Sequence, residues 1–86
     1  MNQPHLRNLL IAEFGSALIP VTSCCHLFGM SKTQGTRAAS THSLPVPTFR
    51  IGSQKSPWLI SVESLAKLVH RRQLRAEKEW KAINSA

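Results

Sequence analysis

PVPTFRIGSQKSPWLIS, from Pro45 to Ser61, decides how the rest of the chain is read. Pro45 and Pro47 forbid helix, because proline removes a backbone donor and pushes the preceding residue into extended conformation. Thr48–Ile51 and Trp58–Ile60 read as short strands, rich in aromatic and β-branched side chains. Gly52-Ser53-Gln54-Lys55-Ser56-Pro57 is the polar loop between them, its shape set by one glycine and one proline. A β-hairpin over about residues 47–60 with a basic tip is expected.

Helical signals lie on both sides of this hairpin. Leu6, Leu9, Leu10, Ala12 and Phe14 give a rough apolar face to a first helix over about 6–14, stopped by Gly15. Ala17-Leu18-Ile19 is an extended piece leading to Pro20, a residue favoured at the first helical position. Val21, Cys24, Cys25 and Phe28 follow i, i+3, i+4, i+7 and mark the buried face of a second helix that ends at Gly29. Ser31-Lys32-Thr33-Gln34 has the form of a capping box, in which hydroxyl and carboxamide each satisfy the other's backbone N–H. A third helix over about Lys32–Thr41 comes next, weakened by Gly35, which costs about 1 kcal/mol relative to alanine. Ser61 caps a last helix over about 62–83, whose stripe Val62, Ala66, Val69, Ala76, Trp80, Ile83 is interrupted by Gln73. The order predicts a small α+β fold, mainly α: an excisionase-like winged helix-turn-helix, with the helix pair over about 20–42, the wing, and a long C-terminal helix.

Eighty-six residues make one domain, which buries roughly 60–65% of its unfolded surface and leaves little for a deep substrate pocket. Eleven Lys and Arg against four Asp and Glu predict attraction to a polyanion. No apolar run reaches the ~18 residues of a membrane span, and Glu13 breaks the leucine-rich start before a signal peptide is complete. Cys24 and Cys25 are adjacent, a poor geometry for a disulfide, and read as reduced thiols of a cytosolic protein. Cys24-Cys25-His26 lacks the C-x₂-C spacing and second ligand pair of a zinc site. Nor does a third catalytic member or oxyanion motif accompany a Cys–His pair. No metal, no cofactor and no enzymatic activity are expected.

The partner that fits is double-stranded DNA. In a helix-turn-helix the second helix enters the major groove by its N-terminal residues, which here are Ser31, Lys32, Thr33, Gln34, Thr36 and Arg37. Lysine and arginine donate to guanine, and glutamine pairs with adenine. In the wing, Arg50, Ser53, Gln54, Lys55 and Ser56 suit phosphate and sugar, which position a protein without reading sequence. Trp58 is read as a core anchor before a base-stacking platform. Arg71, Arg72 and Arg75 lie on the last helix, where they contact DNA backbone or a protein partner. That helix is about 33 Å long, while a globule of this size has a radius of gyration near ~12 Å, so its far half overhangs. Its tail either packs back on the first helix or meets another copy, and Trp80 and Ile83 mark it for self-association.

With these residues laid out, the chain resembles the pyocin activator (PrtN) family. The resemblance rests on LLIAEFGSALIPV (residues 9–21) and on LPVPTFRIGSQKSPWLISVESLA (residues 44–66), the SQKS tip being its most specific part, and covers roughly residues 9–72. It implies a bacterial or prophage regulator, cytoplasmic and nucleoid-associated, that binds DNA near promoters and activates bacteriocin or phage-tail-like genes in connection with the DNA-damage response. RNA polymerase becomes a natural protein partner. Ser31–Ser43, SKTQGTRAASTHS, departs from the charged, alanine-rich helix of the family, so the family's operator does not carry over. Three other readings share the charge: an excisionase-like factor that bends DNA, a protein that binds a host protein through its long helix, and, more weakly, an RNA-binding antiterminator.

Overall fold

The computed structural model describes residues 3–84. Its elements in chain order are α1 (Gln3–Phe14), β1 (Leu18–Pro20), α2 (Val21–Cys24) with a 3₁₀ extension (Cys25–Phe28), α3 (Lys32–Ser40), β2 (Leu59–Ser61) and α4 (Val62–Asn84). The fold is a small α+β fold, mainly helical, with a two-stranded antiparallel sheet and a long C-terminal helix.

The sheet joins segments distant in the chain. β1 pairs with β2 in the register Leu18↔Ser61, Ile19↔Ile60, Pro20↔Leu59. Ile19 and Ile60, at 1% and 0% exposure, form its buried pair. Each strand runs directly into a helix, and the backbone pairing continues there: Val21 N–H donates to the Trp58 carbonyl (2.9 Å) and Val62 N–H to the Ala17 carbonyl (2.8 Å). The first free N–H of α2 and of α4 is thus satisfied by the opposite chain segment. Pro20 sits at the N-cap of α2, one residue before the helix proper. It costs the ladder no bond, because Leu59 opposite exchanges both its backbone groups with Phe49 instead (3.1 and 2.8 Å).

The expected wing differs in form from a two-stranded hairpin. Thr48–Ile51 contributes a single bridge, Phe49↔Leu59, and β2 takes its ladder partner from Leu18–Pro20. The reason lies in the prolines. In the register of that bridge, the next hydrogen-bonded pairs are Ile51 with Pro57 on one side and Pro47 with Ser61 on the other, and neither proline has an N–H to donate. What remains is a loop closed at its base by one bridge. Leu44, Val46 and Thr48 alternate inward as it approaches, while Pro45 and Pro47 face out.

Local signals end the helices as physics requires. Gly15 and Gly29 take φ of 74° and 72°, the left-handed conformation that stops α1 and the 3₁₀ turn. The capping box forms in full: Gln34 N–H donates to Ser31 Oγ (3.2 Å), and Ser31 N–H to Gln34 Oε1 (2.9 Å). α3 ends without a glycine. His42 takes the left-handed position at φ 55°, with Ser43 N–H on the Ala38 carbonyl and His42 N–H on that of Ala39, the two bonds of a Schellman end. Ser61 Oγ accepts from Ser64 N–H (3.1 Å) and starts α4.

The core gathers Ile19, Val21, Cys24, Ala38, Ala39, Leu44, Val46, Ile60, Val62 and Leu65 between α1–α4 on one side and α2–α3 on the other. Arg7 of α1 pairs with Glu63 of α4 at 3.2 Å, an exposed contact of the kind worth at most about 1 kcal/mol. Within α4 the buried residues stop at Leu68, and from Arg71 to Asn84 every residue is exposed. The tail does not fold back on α1. It projects, giving the molecule extents of 55 × 24 × 16 Å and a radius of gyration of 14.7 Å.

Gly35, a weakness by propensity, is a packing requirement. A Cβ there would stand 2.7 Å from Cys25 Cβ and 3.3 Å from Val21 Cγ1. Gly35→Ala gains about 1 kcal/mol in helix propensity but forces α3 off α2, at an overpacking cost of about 1–3 kcal/mol. The packing cost wins because the clashing atom is a Cβ, which moves only with its backbone. Urea denaturation should therefore show the variant less stable than wild type, with an unchanged m-value.

Candidate nucleic-acid interface

α3 separates its two faces cleanly. Gly35, Ala38 and Ala39 are buried against the helix before it, while Ser31, Lys32, Thr33, Gln34, Thr36 and Arg37 are all exposed. Small residues on the inner face let α3 lie close to α2 and leave the longer side chains outward. Several outward groups already have internal work. Ser31 and Gln34 hold each other in the capping box, and Thr36 Oγ1 donates to the Lys32 carbonyl at 2.9 Å. A bidentate contact from Gln34 to adenine would require the box to open. Lys32, Thr33 and Arg37 have no side-chain partner among the described residues and are the groups free to meet a ligand.

The wing is braced rather than loose. The Arg50 guanidinium lies 4.3 Å from the centroid of the Trp58 ring and donates from Nη1 to the Gln54 carbonyl (3.2 Å). Cation–π contact and hydrogen bond together tie the loop tip to its base. His42 meets the same indole edge-on, with ring centroids 6.0 Å apart. Trp58, just ahead of β2, is half-buried and packs on the core, the role expected of it from the sequence. Arg50 is consequently a brace first, with only part of its donor fork left for phosphate. At the tip, Ser56 N–H donates to the Ser53 carbonyl (2.9 Å) and closes a turn. A Cβ at Gly52 would meet Ser56 Oγ, a contact that rotation of the serine side chain relieves. Ser53, Gln54 and Lys55 are exposed, Ser56 is half-buried, and the Lys55 ammonium projects without a partner among the described residues.

Two contacts outside the expected set fasten the wing to α3. The buried Thr48 hydroxyl donates to the Ala39 carbonyl at 3.0 Å, and His42, at the end of α3, leans on Trp58. Helix and wing are thus joined at two points. No local pattern marks Thr48 or His42 for this work. Arg71, Arg72 and Arg75 come together with Pro45 and Leu68 around one shallow depression on α4. Trp80 and Ile83, 64% and 83% exposed, lie farther out on the same helix. Of the eleven basic side chains only Arg7 has an acidic partner among the described residues.

Cys24 and Cys25 are buried thiols, their hydrogens directed at the Pro20 and Thr22 carbonyls. Burial pushes the Cys24 thiol up to about 11 from 9.0, with its neighbour Cys25 adding to the rise and a backbone hydrogen bond opposing it. Such a thiol stays protonated and unreactive near neutral pH. Among the described residues no three His, Cys, Asp or Glu side chains gather into a metal site. No helix among them is long and apolar enough to cross a membrane.

Fold and surface thus define a small, basic, mainly helical protein that presents a capped helix and a braced loop side by side. The chain belongs to the pyocin activator family: the family model described as pyocin activator protein PrtN matches residues 7–76. This is a family of regulators of pyocin genes. No curated protein and no solved structure matches the chain.

The raised Cys24 thiol has a pH consequence. The unfolded chain loses this proton from about pH 9, while the folded chain keeps it to about 11, so the unfolded state binds fewer protons in that window. Stability is full below about pH 9 and falls as pH rises toward 11. Thermal melts across this range should show the fall, and Cys24→Ala should flatten it.

Proposed function

We propose that this protein is a sequence-specific DNA-binding activator of transcription, serving prophage or bacteriocin (phage-tail-like) genes and working as a small winged helix-turn-helix. α2 and α3 form the helix pair. α3 enters the major groove with Lys32, Thr33 and Arg37 reaching base edges, while Thr36 offers its hydroxyl oxygen as an acceptor. Ser31 and Gln34 shape the helix start that approaches the phosphates. The wing supplies Lys55, Ser53, Gln54 and Ser56 to the backbone, with Arg50 holding its form and adding charge. Arg71 and Arg75 add a further basic surface for flanking DNA, with Arg72 beside them left for a protein partner. The site of action is the nucleoid of the bacterial cytoplasm, with RNA polymerase as the natural partner at the promoter.

The observation that carries this reading is the sorting of α3: every residue able to read a base is exposed, and every residue against the core is glycine or alanine. A helix pressed this closely to its scaffold, with basic and hydroxyl side chains on its free face, suits insertion into a groove. Family membership supplies the regulatory role.

Binding should neutralise roughly 4–8 phosphates and so weaken by several orders of magnitude between low and moderate salt. An anisotropy titration of duplex DNA across a salt series checks this, and a flat dependence would remove this reading. Lys55→Ala should weaken all sequences about equally, whereas Arg37→Ala should relax discrimination at one base pair by about 1–3 kcal/mol. DNA bending at tandem sites without promoter activation would assign the same surface to an architectural role.

A further inference from the structure

The exposed end of α4 carries a pattern that DNA binding leaves unused. Val62, Ala66, Val69, Gln73, Ala76, Trp80 and Ile83 alternate at spacings of four and three, the heptad seam of a coiled coil. The inner part of the seam is spent on the protein's own core, with Val62 and Ala66 buried. From Gln73 outward it is bare. About fourteen residues of helix beyond the last core contact are marginal in water unless their apolar stripe is covered. Trp80 and Ile83 lie beyond residues 7–76, which match the family, so this end is read from this chain alone.

Beside the root of the same helix lies an open apolar groove of about 620 Å³, floored by Leu65, Leu68 and Val69 and walled by Leu27, Phe28 and Met30. Gln73 and Ala76 line both this groove and the shallow surface that leads on to Trp80. Groove and bare seam are therefore one continuous face, with a receptor at one end and large side chains at the other. Leu27, itself 51% exposed, sits at the receptor end.

We infer that this face binds a second copy of the chain, with the two α4 helices antiparallel. Centred between Gln73 and Ala76, the pairing sets Gln73 against Ala76 of the second copy, a long side chain against a small one. It brings Trp80 over the other copy's Val69, and Ile83 beyond it into the groove. Both contacts occur twice, so the assembly closes as a two-fold dimer. The groove selects the orientation, because only an antiparallel pair carries Trp80 and Ile83 of one copy to the root of the other, and opposite charges fit that pairing. Arg72 precedes the seam position Gln73, and Glu79 precedes Trp80, so the antiparallel pair faces Arg72 with the second copy's Glu79 and His70 with its Glu77. Two of the chain's four acidic residues lie in this short outer segment, opposite the basic root of the other helix. A parallel pair would instead match Arg72 with Glu77. The single polar seam residue, Gln73, holds the register at the centre.

Sedimentation equilibrium of the whole chain in the micromolar range tests this without DNA. A concentration-dependent dimer is expected, and Ile83→Asp or Trp80→Ala should weaken it by about tenfold or more. Both side chains are exposed in the monomer, so circular dichroism should show the rest of the fold intact. Arg72→Glu alone and Glu79→Arg alone should each weaken the dimer, and the double variant should restore it. A wild-type chain that stays monomeric at ~200 µM overturns the proposal, given the mass-action range of such contacts. Rescue by Arg72→Glu with Glu77→Arg, or no rescue from Arg72→Glu with Glu79→Arg, overturns the antiparallel arrangement.

Discussion

The pairing of Ile19 with Ile60 across a three-residue ladder is the constraint on which the rest of the structure depends. Both side chains are fully withdrawn from water, each burial contributing about 1.5–3 kcal/mol. The larger consequence lies in the helices that the two strands launch. β1 leads straight into α2, and β2 straight into α4, with the first N–H of each helix bonded to the opposite segment. One short sheet thereby fixes where two helices begin and in which direction they leave. α3 is placed by α2 through the Gly29 stop. The wing is placed by β2, because Phe49 attaches to the edge of Leu59 that Pro20 leaves free.

Much of this is legible locally. The Ser31–Gln34 box, the Gly15 and Gly29 stops and the Ser61 cap each depend on neighbours within four residues, and each forms as its residues predict. The β1–β2 pairing is not legible, because strands of three residues about forty positions apart leave no periodicity to detect. Side-chain type predicts a two-stranded hairpin for the wing, whereas backbone donors decide the outcome: Pro47 and Pro57 end the ladder on either side of Phe49. By propensity Gly35 is a defect in α3, yet it is the residue that allows α3 to touch Cys25. Of the candidate contact residues, Lys32, Arg37 and Lys55 stand free, as residue type suggests. Gln34 and Arg50 are drawn into a cap and a brace, and the Arg50 partner emerges only in the folded chain.

The surface is built for rigidity at the points where charge is offered. Close packing holds α3. The Arg50–Trp58–His42 stack holds the wing, and the Thr48 hydroxyl locks one to the other. Preorganisation of this kind lowers the entropy lost on binding. With one ion pair among its described residues, most of the basic excess is left for an external anion. In the proposed division of labour, the wing tip supplies a grip indifferent to sequence, α3 supplies discrimination, and the projecting α4 supplies the contact between proteins. A two-fold dimer through α4 would double the DNA surface and favour inverted half-sites.

Selection of bound sequences from random duplex DNA tests the central claim most directly. Enrichment of a defined short motif is expected, with the Arg37→Ala chain selecting a pool degenerate at one position of it. Recovery of an unenriched pool, or no recovery of DNA at low salt, would contradict that claim.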